Sequence, residues 1–271
     1  MDNDVNVSLD EPGATGCDLE IALPPRNLSL AQDQEWCVVF WEGAWHKVFI
    51  HDYAAIYAIP GLYERLLGDV LGCRSPHTVR SLLESELARS RTRPQDLRVL
   101  DLGAGNGMVG EELADMGVTS ITGLDIIDAA AGAAARDRPA VYEDYYVVDM
   151  AHLGPEDRER LLGKRPNCLV CVAALGFNDI PTGAFVNAYD LVQLGGWVTF
   201  NIKEEFLGEG DDSGFSRLLR SMTAGGALEI RARRRYRHRL GTDGSPLHYV
   251  AVVGIKRAEA PGTQWGTGNP S

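Results

Sequence analysis

The spacing of apolar residues changes character along the chain. In WCVVFWEGAWHKVFI, Trp36 to Ile50, two short runs rich in aromatic and β-branched residues flank Glu42-Gly43, which predicts a two-stranded hairpin. Further on, Leu62, Leu66 and Val70 recur every four residues, as do Tyr63, Leu67 and Leu71, predicting a short helix that begins near Gly61. Ser75-Pro76 supplies an N-cap and a first-turn proline for a second helix carrying Val79, Leu82, Leu83 and Leu87. Arg91–Asp96, RTRPQD, reads as a linker.

From Leu97 the texture becomes regular. Strand-like runs occupy 98–102, 120–126, 145–149, 168–175 and 197–202, and helical patterns fall near 107–116, 128–137, 155–163, 183–194 and 213–223. Five strand-then-helix units predict a parallel sheet covered on both faces. The last two runs, 227–240 and 247–257, are joined by GTDGSP with no helix between them, so an antiparallel pair closes the pattern.

Composition narrows the class. A content of 45% hydrophobic and 24% charged residues reads as a soluble globular chain, and no apolar run approaches the roughly 18 residues of a membrane span. The opening MDNDVNVSLDEPGATGCDLE lacks the basic and apolar regions of a signal peptide, so a cytoplasmic location with no membrane partner is expected. Of the net charge of −12, residues 1–35 carry −7, from eight acids against Arg26. The expected division is a loose acidic leader over 1–34, a hairpin and helical cap over 35–96, the main domain over 97–257 and a loose tail over 258–271. An acidic chain offers a phosphate backbone little, so no nucleic-acid partner is expected. The arginines of RARRRYRHR (231, 233, 235, 237 and 239) share one side of a strand and read as a solvated edge that resists pairing. Cys168 and Cys171 form a C-x-x-C inside an apolar run without a second ligand pair, which predicts buried thiols and no metal. The pattern says nothing about oligomeric state.

The candidate chemistry lies in VLDLGAGNGMVGEEL, Val99 to Leu113, where two glycine fingerprints overlap. From Gly105 it reads G-x-G-x-x-G, a dinucleotide site; from Gly103 it reads G-x-G-x-G, the loop of many S-adenosylmethionine (SAM) enzymes. Either register joins a strand to a helix N-terminus, and Asp125 follows about 20 residues later, where a carboxylate can take ribose hydroxyls. Three features favour the second. Asp101 would stand about 5 Å from a bound pyrophosphate, at a cost of about 3 kcal/mol per charge, whereas SAM presents cations. Some 95 residues precede the loop. Seven strands make one sheet and leave no second nucleotide-binding half.

Over residues 97–256, roughly 60% of the chain, the sequence resembles the class I SAM-dependent methyltransferases. That resemblance implies an α/β fold: a three-layer, Rossmann-like, seven-stranded and mostly parallel sheet with strand seven antiparallel, preceded by an N-terminal cap. It aligns VLDLGAGNG with the family's first motif, implicating Asp101, Gly103, Ala104, Gly105 and Gly107 in cofactor binding. GLDI places Asp125 at the ribose with Ile126 beside it. YYVVDM places Asp149 at the adenine amino group with Met150 at the ring. CLVCVAALGFNDIP matches the fourth strand, bearing Ala173, and its active-site loop, and LVQLGGWVTFNI matches strand five with the helix before it. Tyr53 and Tyr57 either fold over the cofactor or pack as amphipathic helix residues, and Tyr63 shares that choice. His51 and Asp52 stand at the mouth or in a solvated turn. Phe177, Asn178 and Asp179 line the acceptor pocket or serve turn chemistry in a loop that lacks the N-P-P-Y form. Glu204 and Glu205 read as a surface pair rather than a base. The candidate catalytic residues are Tyr57, Asn178 and His51, and the acceptor pocket is expected between 176–181, 203–206 and 51–57. The implied activity is methyl transfer from SAM to an O, N or C nucleophile of a small molecule, in bacterial secondary metabolism. The alternatives are a SAM-binding cyclase or decarboxylase of the same fold and, further off, an NAD-dependent oxidoreductase.

Overall fold

The structure, a computed structural model, describes residues 19–28, 30–175, 179–208, 210–211 and 213–261. Near the N-terminus, β1 (Glu20–Ala22), β2 (Trp36–Trp41) and β3 (Ala44–Phe49) form a three-stranded antiparallel sheet in that order. The β2–β3 hairpin turns at Glu42 and Gly43, both at positive φ (51° and 82°), the two-residue turn whose twist suits a hairpin. β1 corrects the sequence reading, because it lies inside the stretch expected to be a loose leader. Three residues, EIA, are too short to show a period of two.

Asp52 caps the short helix α1 (Tyr53–Ala58) by accepting the Ala55 N–H. Glu64–Val70 is then π-helical, and Leu71 N–H donates to Leu66 O. The spacing predicted one ordinary helix here. The wider turn brings Leu62, Leu66, Leu67 and Leu71 onto one buried side, against Cys37 and Val39 of β2 and Ile56 of α1. α2 (Ser75–Ser90) starts with Pro76 in its first turn, but Ser75 is not its side-chain cap. Its hydroxyl points inward instead, to Tyr236 and His238.

The main domain runs β4 (Arg98–Leu102), α3 (Met108–Asp115), β5 (Ser120–Asp125), α4 (Asp128–Asp137), β6 (Asp144–Val147), α5 (Pro155–Gly163), β7 (Cys168–Leu175), α6 (Thr182–Leu191), β8 (Trp197–Lys203), α7 (Phe215–Ala224), β9 (Leu228–Leu240) and β10 (Pro246–Lys256). Its sheet has the order β6-β5-β4-β7-β8-β10-β9, and β10 lies antiparallel to both neighbours. The other pairs are parallel. Leu83 and Leu87 of α2 and Leu113 of α3 pack on Val99, Val170 and Val253 on one face. On the other, Leu161 of α5, Phe185 of α6 and Phe215 of α7 pack on Leu100, Leu169 and Phe200. Apolar residues fill both faces of the central strands, which is why those strands read as unbroken apolar runs. Cys168 and Cys171, three apart on β7, belong to opposite faces and cannot share a ligand or a bond.

The edge strand β9 departs from the expectation at one end. Arg231, Arg233 and Arg235 are exposed, but Arg239 is buried in an ion pair with Glu35 (Nη2 to Oε2, 2.5 Å). A register shift against β10 at Leu247/His248 breaks the alternation there and turns Arg239 under the cap. Glu35 also accepts the Thr242 N–H at 2.6 Å, so this pair ties the cap to the sheet. Among the described residues no helix is long and apolar enough to cross a membrane.

Candidate active site

After β4 the sheet is extended on one side by β5 and on the other by β7, and the crevice between them is the place where α/β sheets bind ligands. A cavity of about 340 Å³ opens there, at the C-terminal ends of β4 to β7. Its floor is Leu102, Gly103, Leu124 and Val172; the loop around Asp179–Pro181 and the cap residues His51–Tyr57 and Tyr63 close it.

The glycine loop is held by the backbone's own needs. Gly103 takes φ 72°, and a Cβ there would meet Ile180 Cδ1 at 2.9 Å and Ala174 Cβ at 3.0 Å. Gly105 takes φ 55°, and a Cβ would run into the Tyr57 hydroxyl. Both positions require glycine. Gly103 reaches the main cavity, whereas Ala104 and Gly105 line a smaller one of about 30 Å³ beneath Tyr57 and Tyr63. Gly107 is the left-handed residue that opens α3 and borders neither.

Asp125 reaches the cavity from the end of β5 and accepts hydrogen bonds from Gly105 N (2.9 Å) and Ile127 N (3.0 Å). Burial pushes its carboxyl up from the ordinary value, and those N–H groups pull against the shift. Ile126, largely exposed, forms part of the rim. Asp149 follows β6, accepts Ala151 N–H at 2.8 Å and pairs with His152, which together lower its pKa; Met150 is buried beside it.

Asp101 stands apart from these. It is buried behind the loop, does not line the cavity, and accepts the Tyr142 hydroxyl at 2.8 Å. Burial pushes its carboxyl up to about 7, so the fully ionised acid facing a ligand that the sequence argument used is not what the fold provides.

On the cap side, Tyr53 and Tyr57 line the cavity and stack at a centroid distance of 6.2 Å, and Tyr63 meets Tyr57 at 5.2 Å with its ring tilted by 42°. Tyr57 O accepts from Arg136 Nη1 at 3.1 Å, fastening α1 to α4. Burial raises all three phenols well above the ordinary tyrosine range. His51 lines the cavity and its Nδ1 stands 3.4 Å from Asp179 Oδ2, so the expected solvated turn is in fact part of the wall. Asn178 and Phe177 lie outside the described residues. Lys203–Phe206 does not border the cavity, against expectation; Glu204 pairs with Arg235 on the surface and Glu205 with Lys203.

Ala173 has the most unusual backbone in the site. It sits at φ 59°, a conformation that costs a non-glycine residue about 1–2 kcal/mol, and it borders the main cavity, the small one beneath Tyr57 and a further one of about 30 Å³ beside His238 and Tyr249. Its N–H donates to Asn201 Oδ1 at 2.5 Å. Sequence reading passed over Asn201. The available signal was a lone amide within the apolar strand WVTFNIK.

A model of the family described as methyltransferase domain matches residues 76–238, more than half of the chain. The chain belongs to that family. No curated protein matches it. The methyltransferase shares its fold with the N-methyltransferase NodS of Bradyrhizobium japonicum, solved with S-adenosyl-L-homocysteine (SAH), at 13% identity and a TM-score of 0.50, over 77% of this chain and 98% of that one. Magnesium protoporphyrin IX methyltransferase of Synechocystis PCC 6803, solved with bound SAM, is similar at 17% identity and a TM-score of 0.45, over 68% and 79%. A candidate RNA methyltransferase of Pyrococcus horikoshii is similar at 13% identity and 0.49, over 69% and 88%. The fold is that of the class I SAM-dependent methyltransferases, and SAM is the cofactor. The residues present suit it. Gly103 leaves room that a Cβ would fill, Asp125 ends β5, and among the described residues the cavity is lined by acids and by no lysine or arginine, which suits a ligand bearing two cationic centres.

Proposed function

We propose that this methyltransferase acts on a small molecule whose nucleophile is an amine or hydroxyl, and that His51 is its general base. The observation that carries this reading is the His51–Asp179 pair in the cavity wall. SAM, when bound, supplies a methyl group already activated by a sulfonium. Gly103, Asp125, Asp149 and Met150 would hold it along the β4–β6 side, with Tyr53 and Tyr57 over it. What the protein adds is placement, exclusion of water and removal of a proton. Asp179 Oδ2, 3.4 Å from His51 Nδ1, favours the tautomer that carries its proton on Nδ1, which would leave Nε2 to take the acceptor's proton. The buried phenols of Tyr53, Tyr57 and Tyr63 stay protonated and would keep water from that side.

Two features support a small acceptor of neutral or positive charge. A volume of about 340 Å³ is at the lower end for ligand pockets, and its ionisable wall consists of His51, Asp52, Asp125, Asp149, Asp179 and tyrosines. Carboxylates, phosphates and a nucleic-acid backbone would meet a wall that holds acids and, among the described residues, no lysine or arginine. The test is transfer of labelled methyl from SAM to a panel of aromatic amines, phenols, benzoates and bulk RNA. Label on amines or phenols supports the proposal. Label on benzoates or RNA contradicts it.

A further inference from the structure

The parallel ladder between β7 and β8 breaks at the site. Cys171 pairs with Phe200 and Leu175 with Ile202, so Val172, Ala173 and Ala174 stand opposite the single residue Asn201. A bulge of that kind leaves backbone groups without ladder partners. Asn201, fully buried, fills the gap by accepting the Ala173 N–H.

The amide is itself held from behind. Asn201 Nδ2 donates to Ser75 Oγ at 2.9 Å and to Tyr236 Oη at 2.6 Å. Ser75 Oγ lies 2.6 Å from both Tyr236 Oη and His238 Nδ1. Burial and the nearby Arg239 keep His238 neutral, so its Nδ1 can accept. One arrangement satisfies every group: Tyr236 donates to Ser75, and Ser75 donates to His238. Both amide hydrogens of Asn201 are then used, and Oδ1 points at Ala173 without an alternative. The ends of α2, β8 and β9 thus converge on one peptide of β7.

We infer that Asn201 is a positioning residue for methyl transfer: through Ser75 and Tyr236 it holds Ala173 in the left-handed conformation that shapes the cofactor cavity. It touches neither cofactor nor acceptor. The left-handed turn at Ala173 sets the course of β7 beside Gly103, whose Cβ position is bounded by Ala174 and Ile180. An alanine has no intrinsic reason to remain there, so the clamp matters because residue 173 is not glycine.

The inference rests on reading this cavity as the cofactor site, and SAH is the probe. Wild-type protein that does not bind SAH would refute that reading rather than the clamp. Calorimetry on folded Asn201→Leu is expected to show SAH affinity at least tenfold weaker. In an Ala173→Gly background, Asn201→Leu should cost threefold or less, because glycine adopts the turn unaided. Equal losses in both backgrounds, or none in either, would overturn the clamp. If Asn201→Leu does not fold, Tyr236→Phe decides, since it loosens the amide from a strand outside the cavity. A several-fold loss of SAH affinity supports the inference, and wild-type affinity overturns it.

Discussion

The two walls of the cavity are built from different kinds of sequence. The β4–β6 wall comes from one continuous stretch, Leu102 to Met150, in which Gly103 and Asp149 follow strands and Asp125 ends one. The facing wall joins His51–Tyr63 from the cap to Ala173, Asp179 and Ile180 from the β7 end, and its support reaches to Ser75, Asn201 and Tyr236. The first wall is set by backbone geometry and tolerates few residue types. The second depends on side chains that meet only after folding. On the proposed reading the first wall suits a cofactor common to a whole family, while the second sets Tyr53, Tyr57 and Ala173 against that cofactor and His51 and Asp179 toward an acceptor particular to one enzyme.

The sharpest way to separate the walls is at His51. His51→Gln should lower kcat by about 10²–10⁴-fold, the range for a lost general base, while SAH affinity stays within about threefold. An unchanged kcat would remove His51 from the chemistry and leave placement alone to account for the rate.

The cap wall also depends on its latch. Glu35→Ala leaves Arg239 buried without its partner and should destabilise the fold by about 3–5 kcal/mol, visible as a fall in Tm. A Tm within 1–2 °C of wild type, on a scale of about 2–4 °C per kcal/mol, would mean that the cap is not held at this point.

Behind the glycine loop, Asp101 makes a prediction about pH. Its folded-state pKa of about 7 lies above the ordinary carboxylate value, so its contribution to stability is complete below about pH 4 and is lost as pH rises to 7. Asp101→Asn does not titrate and keeps an acceptor for Tyr142. Its Tm relative to wild type should therefore rise between pH 4 and pH 7, then level off. A gap that is flat with pH would show that Asp101 is ionised in the fold.

Much of the β4–β6 wall was legible in the sequence because it obeys local rules: strand, glycine turn, helix, acid at the next strand end. The antiparallel closing pair followed from the absence of a helix before the last strand. What escaped has a common cause in tertiary contacts. Ser75 looks like a helix cap, yet its hydroxyl serves a network with residues 161 and 163 positions away. Arg239 shares a pattern with four other arginines until a bulge in the partner pairing buries it. The π-helical turn at Glu64–Val70 hides behind ordinary helical spacing, because both predicted stripes are buried together. Asn201 and the His51–Asp179 pair join segments whose proximity no local pattern encodes.

The division of labour between the walls is tested most directly by titrating SAH into wild type, Asp125→Ala and His51→Gln by calorimetry. Asp125 takes the Gly105 and Ile127 N–H groups and faces the cavity, so its loss should weaken SAH by about 1.5–3 kcal/mol, roughly 10- to 150-fold, with His51→Gln near wild type. Equal weakening by the two substitutions, or wild-type affinity in folded Asp125→Ala, would contradict the account.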